Sequence, residues 1–282
     1  MPTNKDVKFE LLFIGNELLI GKISNTNSQW LTRQITLLGG TCSRINVVRD
    51  VLEEISNVIK EILNRSPRFL IISGGLGPTY DDMTLEGLSL SINQPLRINK
   101  TALSWITQKY QELYEKKRLG DPTITPAREK MANLPSDSIP LPNPVGSAPG
   151  VLLKKGITNI ICLPGVPGEL KAIFDESVKS EIEKEVGKRY FAESNFFVKG
   201  IGESSMAPAI EEVMKKSSPY VYIKSHPKQD ESDSIVEFHL TTPNDPQCFD
   251  KSKDFLEEKI KTAREELESK ISKLGGTIIL KE

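Results

Sequence analysis

Three short stretches of this 282-residue chain bring together residue types that hydrolytic or phosphate chemistry uses: Gly15-Asn16-Glu17, the run 74–82, and Pro164 to Glu169. Each follows a brief apolar segment, 9–14, 69–72 and 157–163, that reads as a buried strand. In an open parallel sheet, ligands sit outside the carboxyl ends of the strands. The three loops therefore converge on one edge, and their coincidence says more than any one of them.

The middle loop is the most informative. Gly74, Gly75 and Gly77 permit a tight turn and a close backbone approach, and the amides they expose can hydrogen-bond phosphate oxygens. A helix starting near Thr84 adds a dipole that favours an anion. Asp81 and Asp82 would repel a phosphate unless a cation lay between, and hard divalent cations such as magnesium take carboxylate and phosphate oxygens together. The loop thus suggests a metal-bridged phosphate or pyrophosphate; its structural alternative is a glycine turn followed by an aspartate helix cap. The spacing is that of neither a Walker loop nor a Rossmann fingerprint. Glu17 follows a strand and Gly15, where it could ligate a metal or act as a base toward water, or simply be solvated. Asp50, past the second strand, is placed alike, with capping of the segment from Val51 as the alternative. Pro164-Gly165-Val166-Pro167 reads as a rigid strand-to-helix turn, and the stretch 143–150, with Asn143 and Gly146, as a pocket wall or a packed crossover. His226 and His239 read as structural or solvated, Cys162 as a core residue.

Elements must hold these loops in place. Helical periodicity follows the first strand through Trp30, Leu31, Ile35 and Leu38, with Asn25 or Asn27 as the cap. A strand at 43–48, helices at 53–64, 84–91 and 101–118, a proline-rich stretch at 122–149 with a short helix near 127–132, and a helix at 169–185 complete an α/β pattern with a mostly parallel sheet. From 188 onward the order is strand 196–199, helix 203–216, strands 220–224 and 234–241, a charged helix 250–273 read as a solvated face, and a strand 277–280: a small α+β, βαββαβ domain. Two domains, 1–187 and 188–282, are expected.

Composition bounds the rest. Lys plus Arg number 37 against 38 Asp plus Glu, and this balance argues against a nucleic-acid partner. No apolar run is long enough to cross a bilayer, the segment 1–6 has no signal-peptide character, and three scattered cysteines suggest neither disulfides nor a thiolate metal site. A cytoplasmic protein is expected.

The motifs resemble a family. Gly15-Asn16-Glu17-Leu18-Leu19-Ile20-Gly21, Asn25-Thr26-Asn27, Ser73-Gly74-Gly75-Leu76-Gly77-Pro78-Thr79-Tyr80-Asp81-Asp82-Met83-Thr84, Arg128-Glu129-Lys130-Met131-Ala132, Asn143 to Gly150 and Leu163 to Glu169 are similar to the CinA family, whose first domain has the molybdopterin-binding fold. Gly200-Ile201-Gly202-Glu203-Ser204 resembles the start of its small, KH-like domain, without the Gly-x-x-Gly clamp of nucleic-acid binders. The resemblance implies a three-layer α/β domain, metal-dependent ADP-ribose pyrophosphatase activity, and a homodimer or higher oligomer. It places Asp82, Thr84 and Glu86 around ligand and metal, and puts Asn25 where the family's usual motif has aspartate. Full-length bacterial members continue into an amidohydrolase domain past the point matching Glu282, so deamidase activity is not expected of this chain.

The expected chemistry is metal-dependent hydrolysis of ADP-ribose or a related nucleotide. Asp81 and Asp82 would hold magnesium, manganese or cobalt. Glu17 or Asp50 would act on the attacking water. Gly15, Asn16, Asn25, Asn27, Gly74, Gly75, Gly77, Thr84, Glu86, Asn143, Gly146, Pro164 and Gly165 would bind ligand. Pterin or adenylylated-pterin binding, and a non-catalytic nucleotide-binding scaffold, are the rivals.

Overall fold

A computed structural model describes residues 6–228 and 234–279 of the chain. It divides into two compact units, one of residues 7–36 and 40–185, the other of 1–6, 37–39 and 186–282.

In the larger unit, β1 (Lys8–Ile14) runs into a single helical turn, α1 (Asn16–Leu19), then α2 (Thr26–Leu37), β2 (Thr41–Val48), α3 (Leu52–Arg65) and β3 (Phe69–Ser73). Next come α4 (Thr84–Ile92), β4 (Leu96–Ile98), α5 (Lys100–Glu115), α6 (Pro126–Lys130), β5 (Asn133–Pro135), β6 (Ile139–Leu141), β7 (Gly150–Lys155) and β8 (Thr158–Leu163). The last helical stretch is α7 (Pro167–Ile173), a π turn over Phe174–Val178, and α8 (Lys179–Val186).

The main sheet has the order β2-β1-β3-β8-β7-β6. The pairings β1–β2, β1–β3 and β3–β8 are parallel, and β8–β7 and β7–β6 antiparallel, so the mostly parallel sheet expected from the alternating pattern carries an antiparallel edge. Pairing both faces of each strand with helices buries every residue of β3. Leu12, Leu70, Ile72, Ile160 and Cys162 join α3, α4 and α5 in one core. Phe9, Leu11, Phe13, Phe69, Ile71 and Ile161 face the other way and are equally buried; Phe9 and Phe69 stack there at 4.6 Å. Gly87 allows α3 and α4 to touch, since a side chain at 87 would run into Ile55. Glu10, buried in β1, is held by both guanidinium arms of Arg65 at the end of α3, at 2.9 and 2.6 Å.

Several expectations are revised. The stretch 122–149 is not a loop with one helix: β5 and β6 lie in it and β7 follows it, strands too short or too proline-bearing to show a period. Gly15-Asn16-Glu17 is the start of α1 rather than a loop. The expected helix 169–185 is interrupted by a π turn.

The smaller unit is β9 (Glu193–Lys199), α9 (Glu203–Ser217), β10 (Tyr222–Lys228), β11 (Ile235–Thr241), a 3-10 turn (Pro246–Cys248), α10 (Lys253–Lys273) and β12 (Thr277–Ile279). Leu280, at the end of the strand expected from sequence, lies outside the described residues, as do residues 1–5. The sheet, β10-β11-β9-β12, is antiparallel throughout, the arrangement of a split βαβ unit. The charged helix α10 is more than a solvated face: Leu256, Ile260, Ala263, Leu267 and Ile271 form a buried stripe at helical spacing. No helix among the described residues is long and apolar enough to cross a membrane.

Candidate functional site

The chain runs from β1 outward to β2, then returns to place β3 on β1's other side, so the strand order reverses between β1 and β3. Crevices form at such a reversal, beyond the strands' carboxyl ends. A cavity of about 410 Å3 opens there, lined by residues that follow β1 (Gly15, Glu17), β2 (Asp50), β3 (Gly74 to Asp82) and β8 (Pro164 to Val166), with Ser147 and Glu169.

Gly74 and Gly75 have φ of 109° and 62°, where a side chain is strained. A side chain at 74 would also strike the Ile14 carbonyl, so the β3 loop is pressed onto the end of β1. The Gly74 amide donates to Leu163 O at 3.1 Å and is not available to a ligand. The amides of Gly75, Leu76 and Gly77 have no acceptor among the described residues. Three consecutive open donors at a concave turn are what an anion requires.

Asp81 and Asp82 follow. The Thr79 hydroxyl lies against both Asp81 Oδ1 and Asp82 Oδ2, and the Thr79 amide donates to Asp82 Oδ2 at 2.8 Å. A hydroxyl carries one proton, so it serves one of these carboxylates at a time. The Thr79 hydrogen bond, helped by the Lys130 charge, holds Asp81 below the usual carboxylate range. Lys130, at the end of α6, ties the loop from below: its Nζ donates to Thr79 O at 2.8 Å and Asp82 O at 2.7 Å, and stands 3.6 Å from Glu86.

Asp50 does not cap α3, whose N-terminus has no side-chain cap. Its Oδ2 instead accepts the Asn16 amide at 2.8 Å, across the top of β1. Burial pushes the Asp50 carboxyl up, and the charges of Glu17 and Asp81 push the same way. Two neighbouring carboxyls thus have their affinities for protons moved apart.

The remaining expected residues support the cavity without lining it. Asn25 Oδ1 accepts the Ser28 amide at 3.0 Å and caps α2. Asn27 is buried, and its Nδ2 donates to Gly165 O at 2.8 Å, pinning the turn after β8. The buried Thr84 hydroxyl donates to Gly74 O at 2.6 Å and fixes the glycine turn. Glu86 meets Lys130, and the Asn16 amide is taken by Asp50. Asn143 and Gly146 line a neighbouring cleft. Sequence reasoning assigned no site role to Thr79, Lys130 or Ser147, and none to Glu169 beyond its place in the third stretch. The first is signalled by its place two residues before an acidic pair; Lys130, 48 residues from Asp82, is signalled only by its place in the motif 128–132.

Among the described residues, no three His, Cys, Asp or Glu side chains form a metal-ligating group. Two carboxylates crowded on one hydroxyl, beside open amides, still fit a hard cation that takes one or two protein carboxylates and completes its shell with phosphate oxygens and water.

A family model described as a probable molybdopterin binding domain matches residues 10–184. A protein of Sulfurisphaera tokodaii is 40% identical over 272 residues, covering 96% of this chain and 97% of its own. One of Metallosphaera sedula is 39% identical over 270 residues, covering 95% and 96%. Among solved structures, the CinA protein of Thermoplasma acidophilum, described as of unknown function, is 38% identical, with a TM-score of 0.56 and coverage of 62% of this chain and 98% of its own.

Proposed function

The chain belongs to the CinA-like proteins built on a molybdopterin-binding domain, and on that premise we propose that it is a metal-dependent pyrophosphatase acting on ADP-ribose or a similar nucleotide. The observation that carries this reading is the meeting of open amides at Gly75, Leu76 and Gly77 with the carboxylates of Asp81 and Asp82.

In this reading the amides of 75–77 bind the phosphate oxygens, and Lys130 and Thr79 keep the acidic pair in reach of them. Asp81 and Asp82 would hold magnesium, manganese or cobalt, which supplies charge neutralisation and acidifies bound water. Asp50 takes the proton of the attacking water; its raised proton affinity suits it to that exchange better than the lowered one of Asp81. A bond forms between the water oxygen and phosphorus, and the bridging P–O bond breaks to leave two monophosphates. Glu17 shares the cavity wall and adds negative charge that strengthens Asp50 as a base.

The experiment is release of AMP from ADP-ribose with each of the three metals, by wild type and Asp82→Ala. Metal-dependent release that falls by about 10²-fold or more in the variant is expected, in line with the loss of a charge-stabilising group. Hydrolysis by Asp82→Ala at the wild-type rate would overturn the site. A second reading, binding of a pterin or adenylylated pterin, is favoured by the description of the matching family model; a pterin chromophore retained through purification would support it. We further propose a cytoplasmic homodimer or higher oligomer.

A further inference from the structure

A second cleft, of about 250 Å3, shares Ser147 with the acidic cavity. One wall is a stripe of α5, in which Trp105, Gln108, Lys109 and Glu112 are spaced i, i+3, i+4 and i+7 and so lie along one side of the helix. The other wall is the 142–149 segment with its three prolines, Pro142, Pro144 and Pro149.

That segment is held rigidly. Asn143 Oδ1 accepts the amides of Val145 and Gly146 at 3.1 and 2.7 Å, and its Nδ2 donates to Ala148 O at 2.8 Å and Glu169 Oε2 at 2.7 Å. Every polar valence of Asn143 is used within the loop and its neighbour. Gly146 leaves room for the Glu169 carboxylate, which a side chain there would displace. Lys109 closes the frame from the helix, its Nζ donating to Pro144 O at 3.3 Å. The slot between the walls is therefore formed before any ligand arrives.

Its chemistry is that of a ring site. A half-buried indole offers a flat stacking face, and the Gln108 amide and Glu112 carboxylate, 3.3 Å apart, offer donors and acceptors at its rim. Lys109, the cation of the lining, is hydrogen-bonded to Pro144 O and offset by the Glu112 carboxylate of the same lining, so the cleft has no net charge to gather an anion. Complete ligand sites occupy about 300–1,000 Å3; this cleft is smaller and suits one bicyclic ring.

We propose that the Trp105 cleft binds the flat nitrogen heterocycle of a ligand whose phosphates lie in the acidic cavity, the chain of the ligand passing over Ser147. The inference rests on the phosphate reading of that cavity. Purine and pterin share the chemistry, and the experiment separates them.

The chain has two tryptophans, so Trp30→Phe leaves Trp105 as the single indole reporter. With magnesium present, this variant is titrated with α,β-methylene-ADP, with methylenediphosphonate, which has the phosphorus groups but no base, and with neopterin. Quenching by α,β-methylene-ADP and not by methylenediphosphonate is expected for a purine, and quenching by neopterin for a pterin. Calorimetry on Trp105→Leu then shows an affinity for the quenching ligand about ten-fold or more weaker, the loss of one stacking contact, with methylenediphosphonate affinity unchanged. If α,β-methylene-ADP and methylenediphosphonate both bind but no base-bearing ligand quenches Trp105, the cleft is overturned and the phosphate reading stands. If no phosphorus ligand binds and no ligand quenches, both fall.

Discussion

In the proposed mechanism a single carboxyl, Asp50, sets how the cavity responds to acid. Asp50 is half-buried and faces the negative charges of Glu17 and Asp81, which outweigh the hydrogen bonds from the Asn16 amide and from its own. Its proton is therefore held to a higher pH than an ordinary aspartate's. As the proposed base it works only when deprotonated, so kcat/KM for ADP-ribose at saturating metal should climb as pH rises through the Asp50 pKa and level off above it. Asp50→Asn should lower the plateau by about 10²- to 10⁴-fold, the usual worth of a general base, and remove the acidic limb; a pH–rate profile of both proteins checks this. An acidic limb surviving in Asp50→Asn would assign the proton to another group. Asn25 shows the opposite situation. The resemblance implies aspartate at its place, yet its oxygen caps α2, a task asparagine and aspartate perform about equally well. Its lost charge is not lost from the cavity wall.

At the scale of elements, loops following apolar strands were legible because glycine, proline and acidic residues punctuate the sequence just where β1, β3 and β8 end. What was not legible is the bracing between them, which joins residues far apart in the chain. Lys130 is the clearest case: from α6 it brings one ammonium to two carbonyls of the acidic loop. Lys130→Met should leave the fold intact and lower metal-dependent turnover by about ten-fold, with Lys130→Arg partly restoring it. Titration of manganese binding should show the same order. The short strands β4–β7 were hidden for another reason: three to six residues with prolines in β5 and β6 carry no readable period. Helix contact makes its own demand. Gly87→Ala pushes a methyl group into Ile55 and should cost about 1–3 kcal/mol of stability, read as a lowered midpoint in thermal or denaturant unfolding.

For the molecule as a whole, every residue lining the acidic cavity falls between 14 and 169, and every residue of the Trp105 cleft between 105 and 149. The larger unit has its own core, and so does the split βαβ unit, gathered around Phe196, Phe238 and the buried stripe of α10. A chain ending at Val186 should therefore fold cooperatively and keep metal-dependent hydrolysis of ADP-ribose within about three-fold of the full chain; calorimetric unfolding and AMP release measure both. Light scattering of the two chains would test the proposed self-association and whether it needs residues beyond Val186. The element order βαββαβ over residues 193–279 was readable from the helical and strand periods there. Because the chemistry is enclosed in one contiguous stretch of gene, mutation and recombination act on the two units separately. A lineage can replace everything beyond Val186 with another module, acquiring a new address or a new associate, while inheriting each group of the cavity unchanged.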